Sequence, residues 1–75
     1  MKMTAGDFDR LKTAISGVIS QHPLARAEYR AKGLSDTRFA WDCLHASKFD
    51  TVGLYHYLND SHITTALLRI ITKGN

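Results

Sequence analysis

The stretch Ser61–Lys73, SHITTALLRIITK, constrains the fold more than any other part of the chain. It is rich in β-branched residues, yet Ile63, Ala66, Leu67, Ile70 and Ile71 follow the i, i+3, i+4, i+7, i+8 spacing of one helical stripe rather than the alternation of a strand. A helix with such a stripe must be covered by other elements. No other run shows strand-length alternation between hairpin turns, so the cover has to be helical as well. The whole chain has 75 residues and a single cysteine, Cys43, which rules out an intramolecular disulfide and leaves packing as the only source of stability. A chain this short buries only ~60–65% of the surface it exposes when unfolded, enough for one compact domain over residues 1–75 and no second lobe.

The remaining segments supply that cover. In TAGDFDRLKTAISGVISQ, Phe8, Leu11, Ile15, Val18 and Ile19 recur at helical intervals. Thr4 is placed to cap this helix, with Asp7 three residues on as a short version of the capping box. Pro23 is expected to open a second, short helix, PLARAEYRAKG, with a thin apolar face of Leu24, Ala27 and Ala31 and with Gly33 as its left-handed stop. The small side chains on that face imply either a close helix approach or a helix only half docked. Ser35–Asp36 then offers a cap for a third helix in which Phe39, Ala40, Cys43 and Leu44 share one face and Trp41 stands to the side. The linker KFDTVG is expected to tuck Phe49 and Val52 inward, and LYHYL to form one or two turns. Asn59 or Asp60 breaks that turn and caps the last helix, which Gly74 ends. The expected fold is all-α, a small single-domain bundle of four main helices plus one short helical turn.

Several chemistries are disfavoured by spacing. Cys43, His45, His56 and His62 are all possible zinc ligands, but they lack the paired two-to-four-residue clips of structural zinc sites, and Cys43 and His45 point about 200° apart on a helix. Cys43 falls in phase with Phe39, as a packed core thiol does. Asp36, Asp42, Asp50 and Asp60 are scattered, and no phosphate loop, GxGxxG or GxSxG motif is present. Neither an enzyme nor a metal or other cofactor is therefore expected.

Binding is better supported. The formal net charge is +3 and the sequence pI is near 9.3, a mild excess that favours acidic partners. Arg26 and Arg30 are i, i+4 neighbours and, with Lys32 and Arg38, form a candidate basic edge for phosphates or carboxylates. The helix–glycine–helix pattern around Gly33 invites comparison with a helix-turn-helix, but Tyr29 stands where a small residue belongs and Asp42 where an apolar one does. Trp41, Tyr55 and Tyr57 exceed what one stripe needs, and an exposed ring beside the Arg26–Arg30 edge would make a docking patch. The segment MKMTAGDFDRLK meets Asp7 and Asp9 before any apolar run of leader length, and no segment approaches the ~18 apolar residues of a membrane span, so a cytosolic, non-membrane location is expected. The oligomeric state is not legible.

Residues 39–71, FAWDCLHASKFDTVGLYHYLNDSHITTALLRII, resemble the C-terminal signature of a set of short proteins encoded by phages, prophages and plasmids of proteobacteria. The resemblance is carried by Trp41-Asp42, Leu54-Tyr55, Tyr57-Leu58-Asn59-Asp60, His62-Ile63 and Thr65-Ala66-Leu67; at Thr64 the set usually has an acidic residue. It implies a mobile-element protein acting in the bacterial host cytosol and supplies no catalytic residues. Such proteins commonly bind host machinery stoichiometrically, inhibitors of CRISPR defence among them. The expected partner is accordingly a host protein or nucleoprotein complex, with a DNA- or RNA-binding accessory role through the Arg26/Arg30 edge as the alternative.

Overall fold

Short-range chemistry sets most of the helix ends. In the computed structural model, which describes residues 2–73, the Thr4 hydroxyl accepts the Asp7 amide and opens α1 (Ala5–Gln21). The Ser35 hydroxyl accepts the Arg38 amide in the same way and opens α3 (Asp36–Ala46). Between them lies α2 (Ala25–Ala31), closed by Gly33 at φ 78°. There the Gly33 amide reaches Arg30 O and the Leu34 amide reaches Tyr29 O, the paired bonds of a Schellman stop that needs a left-handed residue at its centre. A four-residue helix, α4 (Val52–Tyr55), precedes α5 (Asp60–Lys73). Asn59 is the residue that caps α5: its side-chain oxygen accepts the His62 amide at 3.0 Å, and His62 Nδ1 accepts the Asn59 amide at 3.3 Å. Gly74, the expected end of α5, lies outside the described residues.

The α5 stripe is covered as its spacing requires. Ile63, Ala66, Leu67, Ile70 and Ile71 are all buried, against Leu11 and Ile15 of α1 and Phe39, Ala40, Cys43 and Leu44 of α3. Leu54 and Leu58 close the end near the α4 turn. Fully burying a Leu or Ile side chain is worth about 1.5–3 kcal/mol, so this cluster is the main source of stability. Helices α1 and α5 lie side by side in the same direction: residues 3–9 face residues 62–69, Lys12 faces Arg69 and Lys73, and Ser16 and Ile19 face Ile70 and Ile71. Parallel neighbours cannot be joined by a tight turn, and α2, α3 and α4 form the return path. Among the described residues there is no strand, and no helix is long and apolar enough to cross a membrane.

Three local expectations are corrected. Pro23 does not begin α2; it sits in a turn in which the Ala25 amide reaches back to His22 O, and helical bonding starts two residues later. The inner face of α2 is Ala25 and Tyr29, not Leu24, Ala27 and Ala31, all of which are exposed. The early turn rotates the helix, and Tyr29 takes an edge-to-face position on Phe39 with ring centroids 5.2 Å apart. Val52 points outward at 65% exposure, while Phe49 alone of the linker pair packs on the core.

The cap geometry gives a specific expectation. Replacing Asn59 by Ala should lower unfolding free energy by about 1 kcal/mol in urea denaturation, whereas Asn59→Asp, which keeps the acceptor, should retain most of the stability.

Candidate functional site

The residues expected to form a basic edge come together around α2 and α3, but their charges are engaged within the molecule. Arg26 and Arg30 both donate to Asp36 Oδ2 at 3.3 Å. Arg26 also donates to Ile71 O at 2.9 Å, placing a cation on a carbonyl of the last turn of α5, where the helix dipole favours it. The Arg38 Nε–H donates to Asp42 Oδ2 at 3.2 Å, and the Tyr29 hydroxyl donates to the same oxygen at 2.6 Å. Of the four basic residues only Lys32, exposed at the end of α2, has no carboxylate partner among the described residues.

These contacts leave an electrostatic signature. Donation from Arg30 and Arg26 holds the Asp36 carboxyl below its ordinary value of 3.8, and donation from Tyr29, reinforced by Arg38, does the same for Asp42. Asp42 in turn raises the Tyr29 phenol above its ordinary 10. The same residue therefore departs from the helix-turn-helix pattern for a structural reason: Asp42 is polar because it ties α2 to α3. The outward side of α3 carries Thr37, Arg38 and His45, with Arg38 already paired, which is little positive charge for a groove-reading helix.

The three aromatic candidates separate. The Trp41 indole N–H donates to Thr64 Oγ1 at 2.9 Å and joins α3 to α5. The Tyr57 hydroxyl accepts the Thr4 amide at 3.3 Å and donates to Asp7 Oδ2 at 2.5 Å. Asp7 is one methylene too short to close a capping box on the Thr4 amide, and the phenol from the far end of the chain bridges the gap. Tyr57 and then Arg10 lower the Asp7 carboxyl below 3.8. Tyr55 is the exposed ring, at 45%, with its hydroxyl donating to Asp60. It does not adjoin the Arg26–Arg30 edge: Asp60 opens α5 and Ile71 lies near its end, ~16 Å away along the axis.

Cys43 is buried, and burial pushes its thiol above 9.0, so at neutral pH it is a protonated core residue. His22, His45, His56 and His62 are exposed, and among the described residues no group of three or more His, Cys, Asp or Glu side chains is placed to hold a metal ion. What sequence reasoning missed is the basic seam between α1 and α5, where Lys12, Arg69 and Lys73 converge around Phe8. Lys12 and Phe8 are i, i+4 neighbours, as are Arg69 and Lys73; each pair was visible in the sequence, their convergence was not.

Within residues 39–71, Trp41, Asp42, Tyr55, Tyr57, Asn59, Asp60 and His62 make the ties described above, and Leu54, Leu58, Ile63, Ala66 and Leu67 are core. Thr64 supplies the acceptor to Trp41. Comparison with protein-family models, curated proteins and solved structures found no match.

The depressed carboxyls fix the sign of the acid response. A group whose folded value lies below its unfolded one contributes fully above that unfolded value and is lost as pH falls through the folded value. The melting temperature should therefore fall from about pH 4 downward. Tyr57→Phe should lower it at neutral pH and flatten its acid decline, as read by circular dichroism at a series of pH values.

Proposed function

We propose that the protein is a non-enzymatic binding protein of a phage or other mobile element that docks stoichiometrically on a host protein or nucleoprotein complex, in the manner of an inhibitor of host defence. The observation that carries this reading is the outer face of α4. Val52 and Tyr55, i and i+3 on one turn, are 65% and 45% exposed in a molecule whose other aromatic rings are at least partly buried. The Tyr55 hydroxyl is already held by Asp60, so its ring is presented in a fixed orientation and loses little entropy on contact. Tyrosine is one of the three residues that dominate protein–protein hot spots, and Val52 extends the apolar surface beside it. The resemblance of residues 39–71 to mobile-element proteins supports the same class of activity.

The alternative, a basic DNA- or RNA-binding accessory protein using Arg26 and Arg30, has less support because both guanidinium groups already share Asp36. The expected partner surface is apolar and complementary to α4, with the α2–α3 arginines serving the fold.

Substitution at α4 separates the two. A host protein captured in stoichiometric amount by the wild type should be lost, with affinity down by about thirtyfold or more, in Tyr55→Ala and Val52→Asp, while circular dichroism shows a folded helical domain. Retention of that partner by both variants, or its loss in Arg30→Gln instead, would contradict the α4 reading.

A further inference from the structure

The cations that have no carboxylate partner among the described residues lie mostly away from α2 and α3. Arg10, Arg26, Arg30 and Arg38 are paired with Asp7, Asp36 and Asp42. Among the described residues Lys2, Lys12, Arg69 and Lys73 have no such partner, and all four line the seam between α1 and α5. Lys32 and Lys48 are also unpaired, but each stands alone where a helix ends.

The seam is concave. One hollow of about 610 Å³ is lined by Lys2 and Arg69 together with Met3 and Ala66; a second of about 190 Å³ is lined by Lys12, Arg69 and Lys73. Phe8 and Arg69 line both, so the two hollows adjoin, and together they make up the trough along the seam. Along α5 it runs from His62 to Lys73, ~16 Å at the helical rise. Asp9 and His62 also line the wider part, and Asp9 is the only carboxylate along the trough among the described residues. Phe8 is half-buried, with part of its ring available to the trough.

We propose that this trough holds a single strand of nucleic acid, with phosphates against Lys12, Arg69, Lys73 and Lys2 and a base stacked on Phe8. Unpaired cations bordering an aromatic ring in a groove are the elements with which sequence-indifferent single-strand binders work: the cations follow the backbone and the ring takes any base. A duplex is the poorer fit. Reading a duplex requires a convex element that enters one of its grooves, and this surface is recessed between two parallel helices. The inference is independent of the α4 reading, since it uses different residues and a different partner chemistry.

Fluorescence anisotropy with a labelled oligo-dT of about twelve nucleotides tests it, titrated from about 50 to about 200 mM salt. Four phosphate contacts on a single strand give a slope of log affinity against log salt of about −3, and the double substitution Arg69→Gln/Lys73→Gln should reduce its magnitude by about 1.4. Phe8→Leu should weaken binding with the slope unchanged, because it removes stacking and no charge; if its thermal melt shows loss of the fold, the charge variants alone decide. Lys32→Gln/Arg38→Gln should bind as the wild type does. The proposal is overturned by absence of saturable binding at about 50 mM salt, by a slope indifferent to Arg69→Gln/Lys73→Gln, or by equal or tighter binding of a duplex of the same length.

Discussion

Because Ile63 and Leu67 on α5 are fully buried and Ile70 and Ile71 nearly so, every other element of the chain is arranged to cover one stripe. Helices α1 and α3 do so directly. Covering it with an α1 that runs parallel to α5 obliges the chain to travel the length of the domain and return between them, which is the role of α2, α3 and α4. The net stability of a domain this size is about 4–11 kcal/mol, so ties at the ends of the stripe matter as well as its middle. Arg26 holds a carbonyl at the C-terminal end of α5; Asn59 and His62 bond each other's amides at its N-terminal end. Tyr57, just upstream, secures the start of α1 to the same end of the bundle.

That division of labour decides which polar residues remain for function. The α2 helix has no buried residue and is held by Tyr29, Arg26 and Arg30 through Asp42 and Asp36. Its arginines add to the few apolar contacts that Ala25 and Tyr29 make. A basic helix in a small basic protein therefore serves mainly as a strut. Among the surfaces left unsatisfied by the fold are Leu24 at the start of α2, the outer turn of α4, apolar and aromatic, and the α1–α5 seam, cationic and bordering Phe8.

Features governed by neighbours in sequence were legible from it. The caps at Thr4 and Ser35, the Gly33 stop, and the stripes on α1, α3 and α5 each depend on residues within a few positions of one another. Features that depend on tertiary placement were not. Tyr57 meets Asp7 across fifty positions and Arg26 meets Ile71 across forty-five, and neither pairing leaves a local pattern. Lys48 adopts a left-handed conformation at φ 59° with no glycine to mark it. Val52 looks like core because an isolated aliphatic residue in a linker carries no periodicity to say which way it points. The pairing within the candidate basic edge was not legible for the same reason: sequence counts charges, and only the fold shows which of them meet a carboxylate.

The contrast between an internally paired α2–α3 surface and an unpaired α1–α5 seam is tested most directly by amide chemical-shift mapping of the ¹⁵N-labelled protein during titration with oligo-dT. Perturbations should concentrate at Phe8, Lys12, Arg69 and Lys73 and leave α2 unchanged. Perturbations centred on Arg26, Arg30 and Arg38, with the seam silent, would contradict the assignment of those arginines to the fold.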